Sequence, residues 1–164
     1  MAHTPKHHDL ALPTTRELSM PTQDITDPQE GRAFIAEYAK HILVFYVASI
    51  QPNGEVANRP ISIMFEHDDQ IVFSTTDSKD LYEDLMANPS CSIAFYRRHM
   101  GWMRIDGKAV LAADQAGADA LAQQINPMHY AIYLTDEQEH NAHFALTEAT
   151  CTYYNNRGEI KIAL

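Results

Sequence analysis

The segment Phe73-Ser74-Thr75-Thr76-Asp77-Ser78-Lys79 gathers hydroxyls and a lysine where an apolar run ends and a helical pattern begins. A helix N-terminus presents unpaired N–H groups and a partial positive charge. Hydroxyl donors and an ammonium added there make a phosphate site. Asp77 works against an anion. The plainer alternative is N-capping by Thr76 or Ser78, with Lys79 in water. A second segment, Asn58-Arg59-Pro60-Ile61-Ser62-Ile63-Met64, sits inside a strand-like run. A proline there removes a ladder donor and marks an edge, or a place where the sheet opens. A planar ligand could occupy such a gap and use the exposed backbone groups. Taken alone, Pro60 also reads as an ordinary edge proline, and Arg59 as a solvated charge.

Other chemistries have weaker signals. Nine histidines occur. His140 and His143 lie three apart with His129 nearby, but no ligand signature accompanies them, so no metal site is expected. The only cysteines, Cys91 and Cys151, lack metal-ligand spacing and a disulfide framework. They read as small buried hydrophobes in a reducing compartment. No Gly-rich nucleotide loop and no Ser-His-Asp spacing stands out. The formal net charge of −10 argues against a nucleic-acid partner. Against that background the five lysines and seven arginines are informative where they converge. No apolar run approaches the ~20 residues of a membrane span, and the polar start has no signal-peptide core. A cytoplasmic protein is expected.

These segments need a scaffold. Residues 1–26 read as an N-terminal extension with no clear period, and 27–164 as one domain. Asp27-Pro28-Gln29-Glu30 starts a helix to about Lys40, with Phe34, Ile35 and Tyr38 inward. Strands follow over His41–Ile50 and Val56–Phe65, joined through Asn53-Gly54, a strong hairpin signal. A third strand covers Ile71–Thr75. Ser78 caps a helix over Lys79–Asn88 with Leu81, Tyr82, Leu85 and Met86 as its stripe, stopped by Pro89. Cys91–Arg97 and Trp102–Ala112 form a further pair of strands. In the latter, Met103, Ile105, Ala109 and Leu111 share one face, and Trp102, Arg104, Asp106 and Lys108 the other. Asp114 caps a helix with Ala118, Leu121, Ala122 and Ile125 inward. A short helix from Thr135 to about Phe144 precedes a last hairpin of Ala149–Tyr154 with Glu159–Leu164. The order implies a mainly β, α+β domain: an antiparallel barrel with helices at its openings.

The pattern Gly54-x4-Arg59-Pro60-Ile61-x3-Phe65, then Ile71-x-Phe73-Ser74-Thr75-Thr76-x-Ser78-Lys79, then Leu85-x2-Asn88-Pro89 resembles the pyridoxamine 5′-phosphate oxidase-like FMN-binding proteins. Trp102-x-Arg104-Ile105-x-Gly107-Lys108-Ala109-Val110 and Ala149-x3-Tyr153-x4-Gly158-Glu159 continue the match. It is most similar to the short subgroup that includes nitroimidazole reductases. The resemblance implies an FMN-binding split β-barrel and a homodimer whose flavin sites straddle both chains. It implies that Arg59, Pro60, Ile61 and Ser62 lie along the isoalloxazine and ribityl chain. Thr75, Thr76, Ser78 and Lys79 would grip the phosphate. Trp102 and Arg104 would contribute from the partner subunit, packing at the dimer seam being the alternative for Trp102. Met64 replaces the lysine that ends the first segment in vitamin B6 oxidases, and no C-terminal Trp/Arg pair of theirs is present. The activity expected is therefore an FMN-dependent reduction of a small, planar, electron-poor substrate: a nitroaromatic, a quinone or a second flavin. NAD(P)H is the expected donor, and no catalytic side chain is assigned, since the cofactor supplies the electron transfer. The alternatives are a non-catalytic flavin-binding or redox-sensing protein, or haem binding through the histidines of 129–143.

Overall fold

The computed structural model of the chain describes residues 19–128 and 140–164. Asp27 caps α1 (Pro28–Ala39), its Oδ1 accepting the Glu30 N–H at 2.9 Å, with Pro28 at the first helical position. Ile35 and Tyr38 of α1 are fully buried, each side chain stabilising the fold by roughly 1.5–3 kcal/mol through burial. Gly31 is required where α1 crosses the chain end, because a Cβ there would collide with the Ala163 carbonyl. The amides of His41 and Ile42 bond back to Tyr38 and Ala39 carbonyls. Those amides are therefore not available to a ladder, and β1 spans Phe45–Ile50 rather than starting at His41.

The turn at 51–55 carries Gly54 at φ +86°, the left-handed region that glycine tolerates best. It leads into β2 (Val56–Ile61). The single strand expected over Val56–Phe65 is in fact two. The chain leaves the ladder at Ser62-Ile63 and re-enters as β3 (Met64–His67), which pairs with β4 (Gln70–Thr76). Beyond α2 (Asp80–Ala87) come β5 (Ser90–Arg97), β6 (Gly101–Leu111), α3 (Gln115–Ile125), β7 (Asn141–Asn155) and β8 (Gly158–Ile162).

The strand order is β2-β1-β5-β6-β7-β4-β3, with β8 on the second half of β7. All of these pairings are antiparallel. Strands β2 and β3 are consecutive in sequence yet lie at opposite ends of that order. The short Ser62-Ile63 link therefore brings the two ends of the sheet together and makes a barrel with an open seam. The Ser74 N–H bonds the Ile63 carbonyl at 3.4 Å, one step beyond the Met64–Phe73 pair of β3 and β4. This is the antiparallel split barrel. Its larger core gathers Phe45, Val47, Phe73, Ile93, Phe95, Met103, Ile105 and Phe144 with Ile35 and Tyr38 of α1. A smaller one packs Ile63, Phe65, Val72 and Ala145 against Ala118 and Ala122 of α3. As expected, Asp114 caps α3 by accepting the Gly117 N–H at 2.9 Å.

Three other expectations are corrected. The helix expected from Thr135 falls mostly outside the described residues, and its last turn is instead strand: β7 begins at Asn141, not Ala149. Residues 142–146 are buried without alternation, so no period-2 signal marks them. Ser78 does not cap α2. Lys79 holds the cap position with no side-chain cap bond, while the Ser78 hydroxyl lies 3.0 Å from that of Thr76. In β6 the register shifts between Asp106 and Lys108, and beyond it Leu111 is partly exposed while Ala112 is buried.

Candidate functional site

The barrel seam is where β2 and the end of β4 present edges that no other described strand pairs with. Among the described residues β2 pairs only with β1, Pro60 lying opposite Tyr46. On β4, pairing with β3 ends at Phe73, so Ser74–Thr76 have β7 on one side and, among the described residues, only the Ser74–Ile63 backbone bond and no strand on the other. Between these edges lies a cavity of about 280 Å³. Arg59, Pro60 and Ile61 line it from β2, Ser62 from the link that follows, and Ser74 and Thr75 from β4. Lys79 and Leu81 at the start of α2 and Val44 complete the lining.

Two segments distant in sequence thus meet at one cavity. Of the residues singled out, Arg59, Pro60, Ile61, Ser62, Thr75 and Lys79 line it together. Thr76 and Ser78 bond to each other beside it and are not part of its lining. Asp77, which would oppose an anion, is turned to the start of β7. Its carboxylate accepts the His140 N–H at 3.0 Å, and that backbone bond holds its pKa below the usual carboxylate value.

Arg59 is not a solvated charge. Its Nη1 donates to Asp84 Oδ2 at 2.7 Å and to Ser49 Oγ at 2.9 Å, and Ser49 donates to the same Asp84 oxygen at 2.9 Å. The Asp84 side chain is 3% exposed. A buried carboxylate must be paired to be tolerated, so Arg59 is held against α2 and its rotamer is fixed. Sequence reading missed Asp84 and Ser49. The signal for Asp84 was present: a charge one helical turn from Leu81 and next to Leu85, on the buried stripe of α2.

A second network lies behind the opposite wall. The Ser74 hydroxyl is 2.8 Å from His143 Nδ1, and His143 Nε2 is 3.1 Å from Asp119 Oδ1. His143 is 1% exposed, and burial lowers its pKa against the opposing pull of Asp119. His143 lies on β7 and His140 just before it, and they bond different groups, so they do not share a helix face as their spacing implied. His140 bonds Asp77 at 3.3 Å through Nδ1. His129 lies outside the described residues.

Trp102 and Arg104 are not brought to the cavity within one chain. They sit on β6, two strands beyond β1. Trp102 stacks on Tyr154 with ring centroids 3.9 Å apart and planes at 7°. Arg104 donates to Asp106 at 2.7 Å. In register, Tyr96, Trp102 and Tyr154 form one cross-strand row and Tyr46, Ala94 and Arg104 the row two residues along. Tyr46 is 51% exposed, Tyr96 64% and Trp102 38%, so the outer face of β1, β5 and β6 is an open aromatic surface. Cys91 and Cys151 are buried thiols pushed up to about 12 by that burial, which removes them from nucleophilic chemistry. Among the described residues, no helix is long and apolar enough to cross a membrane.

A family model described as pyridoxamine 5′-phosphate oxidase matches residues 28–157. No curated protein sequence matches the chain. Among solved structures, a NimC/NimA family protein from Clostridium acetobutylicum is similar at TM-score 0.72 and 21% identity, covering 82% of this chain and 93% of that one. A protein related to general stress protein 26, from the same organism, aligns at TM-score 0.59 and 17% identity over 84% and 96% of the two chains. A haem binding protein from Mycobacterium smegmatis aligns at TM-score 0.58 and 15% identity, over 78% of this chain and 57% of that one. At these identities the structural likeness concerns the fold.

Proposed function

The chain belongs to the pyridoxamine 5′-phosphate oxidase family, and from that premise we propose that it binds FMN in the barrel seam. We further propose that it acts as a flavin-dependent oxidoreductase on a small, planar, electron-poor substrate, with NAD(P)H as donor. The observation that carries this reading is the convergence of Arg59–Ser62 with Thr75 and Lys79 on one cavity.

The residues present fit the cofactor. Two strand edges offer backbone groups to a flat ring, and Pro60 clears one donor from the β2 edge. Arg59 is pinned by Asp84, so it can present its remaining N–H donors to a ligand without an ordering cost. Thr75 and Lys79 supply a hydroxyl and a cation toward a phosphate. The bound flavin would supply the electron transfer. The protein's share is to orient it, exclude water and stabilise charge.

The cavity of about 280 Å³ falls just below the ~300–1,000 Å³ of ordinary ligand sites. A flavin would extend beyond it, which supports a site completed by a second copy. The aromatic face of β1, β5 and β6 is the surface such a copy would cover. Trp102 and Arg104 would then act from the partner subunit.

A haem reading loses support at His143, whose two ring nitrogens are both engaged within the fold. The non-catalytic flavin reading is separated by stopped-flow mixing of the FMN-loaded protein with NADH or NADPH. Rapid bleaching of the flavin band supports the enzyme. No bleaching with either donor supports a binding protein.

A further inference from the structure

The Ser74–His143–Asp119 chain spans three elements, and its end at Ser74 is a wall of the seam cavity. Its proton inventory follows from valence. Asp119 as a carboxylate only accepts, so the His143 Nε2 it faces must carry a proton. A neutral imidazole carries one proton, so Nδ1 has a lone pair. The only hydrogen able to fill the 2.8 Å gap between Nδ1 and Ser74 Oγ is then the serine's own. A hydroxyl has one hydrogen and two lone pairs. Once that hydrogen is committed, Ser74 has nothing left to donate.

The ring is held for this role. The His143 N–H donates to Gln115 Oε1 at 3.0 Å, and Gln115 Nε2 donates to the His143 carbonyl at 2.7 Å. The Phe65 ring packs edge-on at 6.4 Å. Among the described residues, the charged groups that bear on the imidazole are Asp119 from α3, which favours its cation, and His67 from β3, which disfavours it. His67 sits at the end of β3 and is half-buried. Its Nε2 lies 3.2 Å from Asp114 Oδ2 and 3.6 Å from Asp68 Oδ2.

We propose that His143 sets the hydrogen-bond polarity of the cavity wall. By taking the Ser74 hydrogen at Nδ1, it leaves Ser74 as an acceptor that selects a donor group on the ligand and excludes phosphate oxygens. This rests on the flavin reading and sharpens it. The phosphate is directed to the Thr75–Lys79 side, and a ribityl hydroxyl or a ring N–H to Ser74. Protonation of His143 would reverse the device. Nδ1–H would then donate to Ser74, and the serine hydrogen would turn toward the cavity.

Two measurements on the full chain test it. In nitrogen-detected NMR of the native protein, the His143 resonances are assigned through the Phe65 ring contact. Near neutral pH, Nδ1 is expected to be unprotonated and Nε2 protonated. A protonated Nδ1 would overturn the relay. The second measurement titrates FMN and riboflavin against Ser74→Ala. Both are expected to bind about three- to tenfold more weakly, and to equal extent, because the selected donor belongs to the part they share. A loss for FMN alone would make Ser74 a phosphate donor, and no loss for either would make it structural. Each of those overturns the proposal. If the native chain binds neither flavin, the flavin reading falls and the ligand selection with it, whereas a protonated Nδ1 overturns the relay alone.

Discussion

Two buried polar networks back the same cavity, and they differ in kind. On the β2 side, Arg59, Ser49 and Asp84 combine a permanent cation with a buried carboxylate. On the β4 side, Ser74, His143 and Asp119 centre on a ring whose charge is optional. Arginine stays protonated at any working pH, so the first network can only hold geometry. Histidine titrates near neutrality, so the second can report and respond to protons. A seam with unpaired edges needs both walls fixed by side chains, and here one wall is fixed unconditionally and the other conditionally.

The largest expected effect breaks the first network unevenly. Arg59→Ala strands the Asp84 carboxylate in the interior and should cost about 3–5 kcal/mol of stability by denaturant unfolding. Asp84→Ala should cost less, because Arg59 is 22% exposed and can take up water. The double variant should recover part of the Arg59→Ala loss. If the single variants cost the same and add independently, the pair is not coupled and the comparison fails.

Lys79→Ala comes next. Loss of a charge-assisted contact should weaken FMN binding by about 1–3 kcal/mol. Riboflavin, which lacks the phosphate, should bind almost unchanged. An equal loss for both ligands would place Lys79 away from the phosphate.

The second network predicts a pH signature. Burial holds the folded His143 pKa below its ordinary value of 6.5, so the unfolded chain binds its proton first as pH falls. The stability held by the neutral ring is therefore present above about pH 6.5 and is lost as pH drops below it, by at most about 1.4 kcal/mol per pH unit. His143→Gln should flatten that part of the profile, whereas Arg59→Ala should leave its shape intact. Equal slopes in native and His143→Gln proteins would contradict the buried neutral ring. The smallest effect concerns the thiols. Cys91 and Cys151, pushed up to about 12, should resist a thiol reagent until denaturant is added.

How much of this was legible in the sequence follows the range of the interactions. Helix α1 announces itself through Asp27, Pro28 and Glu30, the turn at 51–55 through Asn53-Gly54, and β6 through the alternation of Met103 and Ile105 with Trp102 and Arg104. These are local signals, and local chemistry decides them. The break at Ser62-Ile63 is announced only by Pro60, which marks an edge or an opening but not where the strand ends, because closure of the sheet rather than local propensity sets that point. The start of β7 is hidden because both faces of Ala142–Leu146 are covered. Both networks escaped for the same reason: Arg59 meets Asp84 and Ser74 meets His143 only after the barrel forms. Asp84 could have been suspected from its place on an apolar stripe. For His143 the spacing pointed to a helix face that does not exist.

The central claim is that the seam holds a flavin, and the absorption spectrum of the purified protein before and after addition of FMN tests it most directly. A flavin band that stays with the protein through gel filtration, on purification or after loading, is the result expected. Protein that is colourless, and from which added FMN separates completely, would contradict the account.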